Sequence, residues 1–155
     1  MPVVAAGGIA DGRGVAAALM LGAAGAWCGT AFLAAAEAQV HPTHREQVLR
    51  GRSEDFAVSR IYTGKPARTF RNEVHRLWAE SGLEPLGMPH QKVLMEDFLD
   101  ACRRHGRLDL ASNPCGQAAG MLREVRPAAT ILADMEAGAV AALRRGAGML
   151  ATAAP

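Results

Sequence analysis

Two short apolar segments near the start of the chain, each ended by glycine, constrain the fold more than any other feature. The first covers residues 1–6 and is followed by Gly7 and Gly8, and the second covers residues 24–28 and is followed by Gly29. Between them, residues 15–21 are rich in alanine and leucine and favour a short helix. A strand, a turn, a helix and a second strand in this order form a βαβ unit with parallel strands. Because parallel strands are covered on both faces, we expect an α/β fold with both strands buried.

The remainder of the chain has mainly helical periodicity, with one further strand. Apolar residues recur at a spacing of three and four, and Pro and Gly residues mark the ends of the segments. The pattern predicts a helix after Gly29 that continues to about residue 38, a strand at 58–62, and helices at 43–49, 68–81 and 93–102. A last helix has Pro127 near its first turn and apolar positions from 131 to 143, and the tail after Gly146 is expected to be frayed.

Composition and charge narrow the classes of function. The net charge of +2 comes without a basic block, which argues against a partner nucleic acid. The three cysteines are too scattered for a disulfide framework or a metal site, and the start lacks a signal-peptide pattern, so we expect no metal and a cytoplasmic location. Residues 15–36 carry no charge, but ten alanines and three glycines divide them into short elements. We therefore expect no membrane span.

The glycine turns admit more than one chemical interpretation. Glycine after a parallel strand leaves backbone N–H groups open to a phosphate, and turns on adjacent strands can hold one phosphate together. Glycine also simply closes a tight loop between strand and helix, and spacing alone does not separate these interpretations. The stretch from Gly12 to Ala17 also fits a dinucleotide-binding fingerprint with Glu37 as its acidic residue. That fit is weak, because Glu37 lies in a helical pattern instead of at the end of a strand.

Several motifs resemble those of the nitronate monooxygenases, also called 2-nitropropane dioxygenases. In chain order they are PVVAAGGIADGRG at residues 2–14, LGA at 21–23, GTAFL at 29–33, YTGKPAR at 62–68 followed by RN at 71–72, and GQAAG at 116–120 before RE at 123–124. They extend over nearly the whole chain. The phosphate motifs are shared with flavin-dependent enoyl reductases, so the family is better defined than the substrate.

The resemblance implies the C-terminal portion of an FMN-binding TIM (β/α)₈ barrel with a small helical substrate domain. Residues 1–60 would form the last two βα units of the barrel, residues 61–112 the small helical domain, and residues 113–155 a closing helix that returns to the barrel. A full barrel needs about 250 residues. We therefore expect the chain to be the C-terminal half of such an enzyme.

The resemblance also implies which residues contact FMN. The phosphate would lie against Gly8 after the first strand, and against Trp27, Cys28, Gly29 and Thr30 after the second. Trp27 stands where members of the family often have Gln, and it cannot supply the amide contacts of Gln. The backbone N–H groups of Gly29 and Thr30 do not depend on that side chain. No catalytic residue is expected within the chain, because the family's histidine base belongs to an earlier strand.

The implied reaction is the FMN-dependent oxidation of an alkyl nitronate with O2 to a carbonyl compound and nitrite. An FMN-dependent enoyl reductase on the same barrel is one alternative, and a non-catalytic remnant is another. Apolar strand edges predict association with an N-terminal half or with further copies of the chain. The five histidines lie in polar segments and are expected to be solvated. Gln117, on a turn flanked by glycine, is either a turn residue or a contact to substrate or flavin.

Overall fold

A computed structural model describes residues 1–152 of the chain. Its strands and helices, in chain order, are β1 (Val4–Ala6), α1 (Gly12–Met20), β2 (Gly25–Trp27), α2 (Thr30–Leu33), α3 (Pro42–Arg50), β3 (Phe56–Ser59), β4 (Ala67–Phe70), α4 (Glu73–Ser81), α5 (His90–Arg104) and α6 (Ala128–Thr152). They form two compact units, here called the αβ unit, which contains Met1–Gln39 and the chain from Met121 onward, and the hairpin unit, which contains Val40–Gly120.

The predicted parallel βαβ unit is confirmed in the αβ unit. Strands β1 and β2 pair in parallel, with Ala5 opposite Ala26 and Ala6 opposite Trp27. Helix α1 connects them and packs on β2. Asp11 starts α1 because its carboxylate accepts a hydrogen bond of 3.0 Å from the Gly14 N–H, which would otherwise lack a partner in the first turn.

The expectation that both strands are buried is wrong. Val4 is 53% exposed and Trp27 is 72% exposed, whereas Ala5 and Ala26 on the alternate positions are half-buried. The physical reason is that only two strands pair here, so a sheet that needs cover on both faces leaves part of its surface open.

Helix α6 anchors the αβ unit through its packing on α1. The two helices approach closely at Gly12, which has backbone atoms of α6 where a side chain would otherwise be. In the nearby core, Ala31 and Ala35 pack with the larger side chains of Ile131 and Met135. Close approach of backbones at Gly12 therefore adds to side-chain packing in this unit.

Two predicted helix lengths in the αβ unit are wrong. The helix predicted to reach residue 38 ends at Leu33. The last helix begins at Ala128, as Pro127 near its first turn predicts, but it continues past residue 143 to Thr152. The predicted fraying after Gly146 is therefore not observed up to Thr152, since glycine lowers helix propensity without breaking the hydrogen-bond ladder. Residues 153–155 of that tail lie outside the described residues.

The hairpin unit contains an antiparallel pair of strands, and the second of them lies partly where the sequence predicts a helix. β3 pairs with β4, Phe56 lies opposite Phe70, and their rings meet edge to face at 5.3 Å. Residues 67–70 thus belong to a strand, and the helix predicted for 68–81 begins only after the Asn72 cap. The predicted strand at 58–62 also lies earlier, at 56–59. Cross-strand contacts such as the Phe56–Phe70 pair stabilise the strand, and a local helical spacing takes no account of them.

The core of the hairpin unit forms where α4 and α5 pack on the segment after β3. Ile61, Tyr62 and Met95 are buried there, with Val74 and Trp78 against them.

Within residues 1–152, no helix is both long and apolar enough to cross a lipid bilayer.

Candidate functional site

The two glycine turns leave the same edge of the β1–β2 sheet. Because Ala6 pairs in register with Trp27, the turn that starts at Gly7 and the turn that starts at Cys28 begin side by side. Gly7 and Gly8 have φ values of +97° and +73°, in the left-handed region that favours glycine. The sequence therefore requires glycine at this turn for the backbone path itself.

The space around the turns is open. A Cβ built on Gly8 or on Gly29 would have no atom beyond its chain neighbours within 4 Å. Gly29 has φ −88°, which any residue can adopt, so its lack of a side chain is not a backbone requirement. Glycine at this position therefore keeps the backbone accessible, which is the property that close approach of a phosphate needs.

The other predicted contact residues surround the second turn but differ in exposure. Trp27 ends β2 and is largely exposed, whereas Thr30 begins α2 and is half-buried. Cys28 is also half-buried, and it packs against the core around Ala31. Burial raises the pKa of the Cys28 thiol, which keeps it neutral near pH 7. Cys28 thus lacks the thiolate character of a nucleophile and fits the predicted steric role.

The charged groups of the first turn are committed to each other. Arg13 Nε donates to the Asp11 carboxylate at 2.8 Å, and the Arg13 side chain is 75% exposed. The hydrogen bond from the Gly14 N–H is the main influence that lowers the pKa of Asp11, and Arg13 adds to it. Because this carboxylate already caps α1, a phosphate near the first turn would lie against Gly7 and Gly8 and not against the N-terminus of α1.

The acidic residue of the dinucleotide fingerprint has a structural partner instead. Glu37 Oε2 accepts a hydrogen bond of 2.9 Å from the Ala128 N–H at the start of α6. Capping a helix in this way uses the carboxylate that a ribose would need. The structure therefore favours the phosphate-turn interpretation over the dinucleotide fingerprint.

Gln117 lies at the start of a short 3₁₀ turn in the hairpin unit. Its backbone carbonyl accepts a hydrogen bond of 2.7 Å from the Ser53 hydroxyl, and its side chain is exposed. A Cβ on the neighbouring Gly120 would meet that hydroxyl at 2.5 Å. These contacts account for the turn by packing, while the exposed Gln117 amide stays a candidate contact.

The expectation that all five histidines are solvated is wrong for His44 and His75, which are half-buried. His44 lies 2.9 Å from the Pro114 carbonyl, and His75 lies 3.0 Å from the Thr69 hydroxyl through Nε2 and 2.8 Å from Asn72 Oδ1 through Nδ1. Burial lowers the pKa of both rings. The prediction failed because the partners of His44 and the cover of His75 come from other parts of the chain.

Sequence reasoning also missed that His75 belongs to a polar network in the hairpin unit. Asn72 Nδ2 donates to the Tyr62 hydroxyl at 2.9 Å and to the Asp109 carbonyl at 3.0 Å, and the Tyr62 hydroxyl donates to the Leu110 carbonyl at 2.8 Å. The Asn72–His75 capping box at the start of α4 was the signal for it. The network joins α4 to the loop before residue 111.

The residues present fit a phosphate better than a metal. Among residues 1–152, no three His, Cys, Asp or Glu side chains come together as metal ligands would. The glycine turns instead offer backbone groups at the ends of two parallel strands, as in barrel enzymes that bind a phosphate there. The described residues thus suit the phosphate of FMN, and they assign no pocket to its ring system.

Comparisons with known proteins agree with the motif resemblance. A sequence model described as nitronate monooxygenase matches residues 1–138. The nitronate monooxygenase of Pseudomonas aeruginosa is 37% identical over 133 residues, which cover 85% of this chain and 38% of that protein. The chain thus spans less than half the length of such relatives.

Solved structures give the same result. FabK from Thermotoga maritima is similar with a TM-score of 0.79 and 36% identity, over 96% of this chain and 47% of that one. Nitroalkane oxidase from Streptomyces ansochromogenes is similar with a TM-score of 0.83 and 31% identity, over 94% of this chain and 41% of that one. With a family match over most of its length and an α/β fold shared with these enzymes, the chain belongs to the nitronate monooxygenase family.

Proposed function

We propose that the chain supplies the phosphate-binding part of an FMN-dependent enzyme that oxidises alkyl nitronates with O2 to a carbonyl compound and nitrite. The observation that carries this proposal is the pair of open glycine turns on one edge of a parallel sheet. Gly8 and Gly29 follow adjacent strands, and both leave the backbone accessible. In the proposed arrangement residues 1–60 belong to the barrel, and other strands of a complete barrel would supply the rest of the flavin site. The chain matches 38% of the Pseudomonas aeruginosa enzyme and 41% of the Streptomyces ansochromogenes structure.

The residues of the chain have distinct roles in this proposal. The backbone N–H groups of Gly8, Gly29 and Thr30 bind the phosphate, and Cys28 fills the space behind the second turn. Trp27 presents its exposed ring beside the phosphate and supplies no amide contact. FMN, when bound, supplies the electron transfer between nitronate and O2. No proton transfer is assigned to a residue of this chain, because the resemblance implies that the histidine base belongs to an earlier strand of the barrel. His44 and His75 form hydrogen bonds within the hairpin unit.

Titration of the full chain with FMN tests the phosphate site directly. Backbone amide NMR signals of Gly8, Gly29 and Thr30 are expected to shift with FMN and with inorganic phosphate, because both carry the group that the turns bind. Riboflavin lacks the phosphate and is expected to leave these signals unchanged. Equal shifts with riboflavin and FMN, or no shift with FMN at millimolar concentration, would contradict the proposal.

Substitutions of Gly29 and Gly8 test the phosphate site, and a substitution of Gly22 is the control for the one at Gly8. Gly29→Val adds a side chain without backbone strain and is expected to weaken FMN binding by roughly 1–3 kcal/mol, the cost of unsatisfied polar partners. Gly22→Ala is the control for Gly8→Ala, since Gly22 also has a positive φ and open space but follows α1. Gly8→Ala and Gly22→Ala should lose similar amounts of stability, and of these two only Gly8→Ala should lose FMN affinity.

The reaction itself requires a completed barrel. We expect a fusion of this chain to the preceding part of the Pseudomonas aeruginosa enzyme to retain FMN and to release nitrite from an alkyl nitronate. The isolated chain is expected to retain little FMN after gel filtration. An FMN-dependent enoyl reductase remains the second candidate, because the phosphate motifs resemble both groups. Oxidation of a nicotinamide donor by the fusion, without nitrite release, would favour that candidate.

A further inference from the structure

A groove in the hairpin unit, here called the β3–α4 groove, has no role in the proposed FMN site. It has a volume of about 410 Å³, which is within the range of small-molecule pockets. Val58 and Ile61 line one side, and Trp78 and Ala79 of α4 line the other. The walls therefore suit an apolar ligand body.

The polar side chains that line the groove mostly have partners already. The His75 ring has Asn72 on Nδ1 and Thr69 on Nε2, so neither ring nitrogen is left for a ligand. Trp78 Nε1 donates to the Leu83 carbonyl at 2.7 Å, which leaves its ring as the part available to a ligand. A neutral polar ligand would thus find few partners here.

The two arginines on the groove differ in their pairing. Arg76 binds Glu80 at 2.6 Å and also forms a bidentate contact with Glu73, so its charge is neutralised within α4. Arg71 lies between β4 and the Asn72 cap, and its backbone N–H donates to the Asp55 carbonyl at 2.8 Å. Within residues 1–152, the Arg71 guanidinium forms no ion pair with a carboxylate. It is therefore the cation of the groove that remains available to a ligand.

We propose that the β3–α4 groove binds a small organic anion with a planar two-oxygen head group and an alkyl tail, of which a carboxylate is the simplest form. The guanidinium of Arg71 matches two coplanar oxygens through parallel hydrogen bonds. The tail lies against Val58, Ile61 and the Trp78 ring. The charge of Arg71 also contributes to the lowered pKa of His75, which agrees with its position beside that ring.

Fluorescence of Trp78 tests this proposal in the full chain. The chain has two tryptophans, so Trp27→Phe leaves Trp78 as the reporter. Octanoate is expected to change the emission saturably, whereas octan-1-ol lacks the charge and inorganic phosphate lacks the tail. Each should bind at least about tenfold more weakly than octanoate. Equal binding of octan-1-ol or of phosphate would overturn the proposal.

Variants of the charged residues provide the decisive comparison. Arg71→Gln is expected to weaken octanoate binding about tenfold or more, and Arg104→Gln, at an exposed arginine near the end of α5, is expected to leave it unchanged. Combined Glu73→Gln and Glu80→Gln substitutions release Arg76 and should tighten binding. If circular dichroism shows all variants folded and Arg71→Gln binds like the unsubstituted chain, the proposal is wrong.

A nitronate shares the planar two-oxygen head group of a carboxylate. The anion of 1-nitrooctane is therefore expected to compete with octanoate for the groove, and failure to compete would overturn the proposed head-group recognition. The readout is a residue of the hairpin unit, whereas the FMN titration reports on Gly8 and Gly29. Either proposal can therefore fail while the other stands.

Discussion

Replacement of Gly12 by alanine tests the close contact that holds α1 on α6. A Cβ at this position would lie 2.3 Å from the Ala139 nitrogen and 2.5 Å from the Met135 oxygen, and both are backbone atoms that cannot rotate away. Overpacking costs about 1–3 kcal/mol and sometimes more, and a contact with backbone belongs at the upper end. The higher helix propensity of alanine returns at most about 1 kcal/mol. We expect Gly12→Ala to lower the free energy of unfolding by about 2 kcal/mol.

The loss should be visible as a lower urea midpoint and as a Tm reduced by roughly 4–8 °C for a chain of this size. Two variants of α6 make the test graded. A Cβ on Gly138 would lie 3.3 Å from the Gly12 Cα, and one on Gly146 would have open space. Gly138→Ala should therefore cost less than Gly12→Ala, and Gly146→Ala should stabilise the chain by up to about 1 kcal/mol. Equal stability of Gly12→Ala and Gly146→Ala would refute the packing argument.

Three further predictions concern ionisation and association. Burial raises the pKa of Tyr62, the chain's one tyrosine, to about 12. Ultraviolet titration of the native chain should therefore show tyrosinate forming near pH 12, and urea unfolding should show a loss of stability as the pH rises above 10. Because the pKa values of His44 and His75 are lowered in the folded chain, their contribution to the free energy of unfolding is complete above pH 6.5 and decreases as the pH falls below it. In urea unfolding, His44→Gln and His75→Gln should lose less stability over this acidic range than the unsubstituted chain. An equal loss in both variants would contradict this. Because Val4 and Trp27 are exposed on a two-stranded sheet, the isolated chain should sediment as an oligomer, and a cooperatively unfolding monomer would rule this out.

The local sequence determined the part of the fold whose signals are short-range. A βαβ unit was predictable because apolar segments, glycine turns and the Asp11 cap all act within a few residues. The positions of Gly8 and Gly29 at strand ends followed from the same pattern. Motifs spread over nearly the whole chain, from the first glycine turn to residues 123–124, indicated the nitronate monooxygenase family, which the family match over residues 1–138 confirms.

Tertiary structure alone decided which segments pair and which side chains are buried. The helical spacing of Phe70, Val74 and Leu77 predicted a helix that starts at residue 68, but pairing with β3 makes residues 67–70 a strand. His44 reaches a carbonyl seventy residues away, and Glu37 caps a helix that begins ninety-one residues later. Such partners are invisible to local periodicity, because burial and pairing depend on residues that only folding brings together.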